Sequence, residues 1–133
     1  MANLALIPVE QVRYIWPAVS HWIFKSIDKV DLLQSEAVER QVLDGVARLW
    51  VVHNGVFLAA VVTEVYFVES GKICAVVACG GEGVLAALEL LEQIEKYAKQ
   101  EGCRSIIVCG RKGWARALKD YRQAAVVLRK ELN

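Results

Sequence analysis

Ile73-Cys74-Ala75-Val76-Val77-Ala78-Cys79-Gly80-Gly81-Glu82-Gly83-Val84-Leu85 is the stretch on which the fold turns. An apolar run of strand length (Ile73–Cys79) enters a glycine cluster, and beyond it the apolar residues change period. Val84, Leu88, Leu91, Ile94 and Ala98 recur at threes and fours, which predicts a long helix from Val84 to about Glu101 with that stripe buried. Glu92/Lys96 and Glu95/Lys99 stand at favourable i,i+4 spacing on its outer face, and Gly102 is placed to end it. The β-branched run that follows, Arg104–Cys109, reads as a strand in a buried central position. A strand, a helix and a second buried strand in that order predict a right-handed parallel crossover.

Upstream of this unit, the period is two. Arg48–His53 is one strand, Asn54-Gly55 a two-residue hairpin turn, and Val56–Val68 a long second strand. Ser70-Gly71 then turns into Ile73–Cys79. Three strands joined by short polar turns form an antiparallel meander. Still earlier, Val12, Ile15, Trp16, Val19, Trp22, Ile23 and Ile27 form the apolar stripe of an amphipathic helix starting near Val9, with Pro17 expected to kink or split it. Ser35 opens a second helix as its candidate cap, and Asp44-Gly45 closes it. Asn3–Ile7 reads as an edge strand before Pro8. Downstream, Gly110-Arg111-Lys112-Gly113 is a loop, Trp114–Asp120 a short helix and Ala124–Lys130 a final strand. The predicted order is β-α-α-β-β-β-α-β-α-β, an α/β protein with a mixed sheet and helices on both faces.

Composition narrows the function classes. A chain of 133 residues, 56% hydrophobic, has the length of one domain (residues 1–133) and the material for one core. Sixteen Lys and Arg against fifteen Asp and Glu leave a net charge of +1, which argues against nucleic-acid binding through a basic arm. The longest apolar runs fall far short of the ~20 residues of a membrane span, so no membrane partner is expected. The opening residues lack the basic region of a secretory signal, and Cys74, Cys79, Cys103 and Cys109 match no CxxC knuckle. Buried reduced thiols, no metal and a reducing cytoplasmic address are the expectation, with a host cytosol or a virion as the location if the chain is phage-encoded.

The element order resembles that of the GNAT superfamily, the acetyl-CoA-dependent N-acetyltransferases, over nearly the whole chain, without the last strand of a full-length domain. More narrowly, Leu6-Ile7-Pro8-Val9-Glu10-Gln11-Val12, Leu49-Trp50-Val51, Ala78-Cys79-Gly80-Gly81 and Gly110-Arg111-Lys112-Gly113-Trp114 are similar to short GNAT-like proteins of tailed phages and prophages. The resemblance implies acetyl-CoA in a cleft where the third meander strand and the central strand splay apart, and an amine on a small molecule or a protein as acceptor. In the superfamily the turn into the long helix reads Gln/Arg-x-x-Gly-x-Gly/Ala and holds the cofactor pyrophosphate on its amides and the helix end. Gly83 matches the first glycine; Gly80 and Leu85 stand where the family has Gln/Arg and Gly/Ala.

The resemblance therefore points to the main chain of Cys79, Gly80, Gly81, Gly83 and Val84 for cofactor binding. Glu82 sets a carboxylate beside the place of the diphosphate, where it repels an anion or caps the helix itself. Glu64, the lone carboxylate of its strand, is the candidate base, or else lies on a solvated sheet face. Tyr121 is the nearest tyrosine to the family's acid position, which is Lys119 in this chain; alternatively its ring packs and its hydroxyl stays wet. Arg111 and Lys112 at the end of the central strand are candidates for a nucleotide phosphate, or a pair of solvated loop charges. Two functions stand side by side: an amine acetyltransferase, and a non-catalytic GNAT-like phage or prophage protein that uses the scaffold for contacts with virion proteins or with its own copies.

Overall fold

The computed structural model describes residues 2–82, 89–110 and 113–133. Five strands, β1 (Asn3–Leu6), β2 (Ala47–His53), β3 (Phe57–Val68), β4 (Gly71–Gly81) and β5 (Ser105–Val108), form one sheet in sequence order. The first four run antiparallel; β4 and β5 are parallel, as the crossover requires. The helices are α1 (Val9–Val30), α2 (Ser35–Leu43), α3 (Leu91–Gln100) and the short α4 (Gly113–Ala117). The predicted first turns of the long helix, residues 84–88, lie outside the described residues.

Two cores sandwich the sheet. On one face α1 and α2 bury Val12, Trp16, Val19, Ile23, Ile27, Val38 and Val42 against Leu49, Val51, Ala60, Val62 and Ala78. On the other, Leu91, Ile94 and Ala98 of α3 cover Trp50, Ala59, Val61, Cys74, Val76 and Cys79. Two indoles close these layers with directed bonds. Trp16 donates to Glu39 Oε2 at 2.8 Å, tying α1 to α2, and Trp50 donates to the buried Thr63 hydroxyl at 3.0 Å.

Several expectations need correction. Pro17 does not split α1, which runs unbroken from Val9 to Val30 with Pro17 on its exposed side. Gln34 rather than Ser35 is the N-cap of α2, with no side-chain cap bond. The β2–β3 loop has three residues, because His53 pairs with Phe57 and Leu58 is an extra residue in β3. The β3–β4 turn is Glu69-Ser70, since Val68 pairs with Gly71. Neither Glu92/Lys96 nor Glu95/Lys99 closes to an ion pair among the described residues. The run predicted as a central strand, β5, is the sheet's edge and only half-buried, and Cys109 at its end is exposed. The predicted strand Ala124–Lys130 forms no ladder; residues 122–133 are exposed and without helix or strand.

Candidate functional site

The site is defined by where two parallel strands part. The β4–β5 ladder runs from Ile73/Ser105 to Val76/Val108, with a final bond from the Cys109 amide to the Val76 carbonyl at 3.3 Å. Beyond Val76, β4 continues to Gly81 on β3 alone. Val77 is the extra residue there: Val62 pairs with Ala78 and Thr63 with Val76, a bulge that bends β4 where β5 leaves it. At the parting, Val61, Val76, Cys79, Leu91, Ile94, Val108 and Trp114 line an apolar void of about 10 Å³. The Trp114 ring lies against Gly110, leaving no room for a side chain at that position.

The glycines of the turn have structural work to do. A Cβ on Gly80 would meet the Trp22 carbonyl oxygen at 2.5 Å, so α1 crosses β4 at backbone contact. Gly81 has φ +135°, and a Cβ there would stand 2.5 Å from Ala59 Cα. The Glu82 amide donates to the Leu58 carbonyl at 2.8 Å, and Glu82 itself is exposed. With Glu82 and Gly80 bonding toward β3, the alternation of an antiparallel ladder turns the main chain of Cys79 and Gly81 the other way, past the end of the β4–β5 ladder. Cys79 is buried, and burial pushes its thiol up to about 12, so it keeps its proton and lines the wall as an apolar group. Gly83, Val84, Arg111 and Lys112 lie outside the described residues.

Tyr121 is half-buried against the α3 core, and its hydroxyl donates to Glu95 Oε2 at 2.6 Å. Burial first, then that hydrogen bond to a carboxylate, raises its pKa, so it holds its proton through the neutral range. It borders a groove of about 370 Å³ between α3 and residues 117–121, where Glu89, Glu92, Glu95 and Asp120 face one lysine, Lys119. Leu91 belongs both to this groove and to the void at the parting, so Tyr121 stands one side-chain layer away. Glu64 pairs with Ala47 and Ala75, one residue before Val76, where the β4–β5 ladder ends, and lies four residues along β3 from Ala60, the partner of Gly80. The structure therefore gathers Cys79, Gly80 and Gly81 beyond the parting, sets Tyr121 beside it, and holds Glu64 on β3 one pair before the ladder ends.

Sequence reading missed three contributors. The i,i+3 spacing of Glu89, Glu92 and Glu95 on one helix face was the available signal for the acidic groove. Leu58 and Val77, the bulge residues, carry no mark in composition. No group of His, Cys, Asp and Glu among the described residues is arranged to hold a metal, and no described helix is long and apolar enough to cross a membrane.

The sequence matches no protein-family model and no curated relative. Solved structures do match. A predicted acetyltransferase from Clostridium acetobutylicum with acetyl-CoA superimposes with a TM-score of 0.67 at 12% identity, over 100% of this chain and 96% of that one. An aminoglycoside acetyltransferase from an uncultured soil metagenomic sample, in complex with sisomicin, gives 0.68 at 10% identity over 99% and 97%. A GNAT family acetyltransferase from Staphylococcus aureus gives 0.62 at 11% over 98% of each chain. At such identities the likeness establishes the fold: the chain has the mixed-sheet architecture of GNAT acetyltransferases, with its splayed strands.

Proposed function

We propose that this protein transfers an acetyl group from acetyl-CoA to a small amine. The observation that carries this reading is the parting of β4 from β5 after Val76/Val108, with the Cys79 and Gly81 main chain turned toward the opening. An extended, amide-bearing ligand laid there meets main-chain donors and acceptors as a further strand would, beside an apolar wall. Acetyl-CoA fits that description and supplies an activated thioester. Solved relatives of the fold, one with acetyl-CoA and one with an aminoglycoside, support the choice of donor and acceptor class.

In this reading Cys79 and Gly81 align the donor, and the void edged by Val108 and Trp114 keeps water from it. Tyr121, which holds its proton at neutral pH, is the residue suited to protonate a leaving thiolate. The four carboxylates of the neighbouring groove favour a cationic amine over an anionic acceptor. Glu64, opposite Ala75 and one residue before the ladder ends, is the carboxylate kept as the candidate base for the proton that the attacking amine loses.

One observation favours a second reading. Gly80 and Gly81 are already required by packing and the Glu82 amide is bonded to Leu58, which suits a non-catalytic scaffold, such as a phage or prophage assembly protein, acting through protein contacts. Calorimetry and thermal shift with acetyl-CoA decide between the two. Cofactor at a hundred times its Kd stabilises the fold by about 2.7 kcal/mol, and free thiol is then released with a polyamine acceptor. No heat and no shift at millimolar acetyl-CoA leave the scaffold reading alone standing.

A further inference from the structure

Helix α1 points at the parting. A Cβ on Gly45 would meet the Val9 side chain at 2.9 Å, so the helix starts beside the entry to β2; at Trp22 its main chain rests on Gly80, near the end of β4. The same course continued for nine residues carries it about 13 Å further, past β4 on the β5 side of the sheet. There it ends at Asp31, a C-cap in the left-handed region with φ 55° and ψ 48°. The chain's last segment reaches the same point from the opposite face. Tyr121 is tied to Glu95 on the α3 side, where its neighbour Leu91 lines the void at the parting. Residues 122–128 are exposed, with neither helix nor strand, and the Arg129 guanidinium then donates to the Asp31 main-chain carbonyl and lies 3.5 Å from its carboxylate. Eight residue steps, at most roughly 29 Å of chain, thus join the two faces of the sheet at the end where β4 and β5 part.

Arg129 and Asp31 form the only ion pair among the described residues, and their side chains are 41% and 80% exposed. Such a pair is weak and weakens further with salt. It also sets a cation at the C-terminal end of α1, where the helix dipole favours one. Among the described residues no other side-chain hydrogen bond ties down the chain beyond Tyr121. We infer that residues 122–128 are a strap across the mouth of the parting, latched by Arg129 on the end of α1, and that opening of the latch sets how fast a ligand enters and leaves. The role in exchange rests on the reading that acetyl-CoA occupies the parting; the latch itself does not. A strap of this kind opens without disturbing either core, because its residues are exposed and pack on neither.

Two measurements on the full-length chain test this. The first needs no ligand. Elastase, which cuts after small apolar residues, is applied to the native protein and scission within Ala124–Leu128 is followed by mass, with a short peptide substrate correcting for salt effects on the protease. Raising the salt, changing Arg129→Gln or changing Asp31→Asn should each speed cleavage by about two- to five-fold, the range an exposed pair supports. Salt should do nothing further in the variants. Asparagine accepts the left-handed conformation, so Asp31→Asn removes the charge and leaves the helix end intact, with unchanged circular dichroism. The second measurement is stopped-flow binding of acetyl-CoA. Arg129→Gln should raise the association and dissociation rates by the same factor with Kd unchanged, and Arg129→Lys should restore part of the wild-type behaviour. Cleavage that is equal in wild type and variants, or indifferent to salt, overturns the latch by showing that something other than this pair holds the tail. A changed Kd with an unchanged association rate overturns the gate by making Arg129 a ligand contact. No acetyl-CoA signal in the wild type sinks the transferase reading and the gate with it, while the cleavage rates still decide the latch.

Discussion

The carbonyl oxygen of Trp22 lies only 2.5 Å from where the first side-chain carbon of any residue but glycine would have to sit at position 80. Helix α1 therefore rests on β4 through main chain rather than through an interposed side chain, and the contact lies where β4 runs past β5. Gly80→Ala must push α1 away from the sheet or bend β4. It is expected to lower stability by about 1–3 kcal/mol in urea unfolding. Gly113→Ala, where nothing stands within 4 Å, should leave stability unchanged or slightly higher. Equal effects of the two changes would contradict the close approach.

Thr63→Val keeps shape but leaves the Trp50 indole N–H without its acceptor inside the core. A loss of about 1–3 kcal/mol is expected, measured by denaturant titration. Thr63→Ser retains the hydroxyl and should recover most of that loss. The edge-on packing of Trp50 and Tyr97, with centroids 5.2 Å apart, should make their near-ultraviolet dichroism sensitive to the first change and not the second.

Stability should fall at alkaline pH through the thiols. Burial, with Cys103 nearby as a lesser cause, pushes Cys74 up to about 11; burial alone pushes Cys79 up to about 12; both start from 9.0. The folded state thus binds more protons than the unfolded state above pH 9. Unfolding free energy is flat below that pH and declines from it as pH rises through the two folded values. Replacing Cys79 with Ala should shorten the decline. In the native protein Cys109 should react with a thiol reagent at once, while Cys74 and Cys79 react only after unfolding.

Tyr121→Phe removes the bond to Glu95, for an expected loss of about 1 kcal/mol after allowance for the partly exposed site. Its raised pKa has the same sign as the thiols: stability present below the ordinary tyrosine value is lost above it. A spectroscopic titration of tyrosinate should therefore lose a late-ionising component in the variant. If Tyr121 also donates a proton in acetyl transfer, the variant should lower kcat with little change in KM for the donor.

What could be read from the sequence was periodic or local. The stripe of α1, the place of the hairpin at Asn54-Gly55 (though not its length) and the strand–helix–strand unit each show in spacing alone, and that suffices for the architecture. The rest depends on partners distant in the chain. A bulge such as that at Leu58 or Val77 is a property of two strands in register, and neither residue is unusual in itself. Gly80 and Gly81 signalled a close approach, but what approaches is the chain's own backbone. Ala124–Leu128 has the propensity of a strand, and propensity alone forms no ladder without an edge beside it.

The bulge at Val77 has one more consequence. Before it, even-numbered residues of β4 (Cys74, Val76) point to the α3 core; after it, Ala78 joins the α1 core and the odd-numbered Cys79 takes the α3 side. The strand is thus written in two phases, with the seam at one residue. Deleting Val77 would bring the whole strand into a single phase, swapping the faces of every residue on one side of the seam, and no point substitution along β4 could mimic or repair that error.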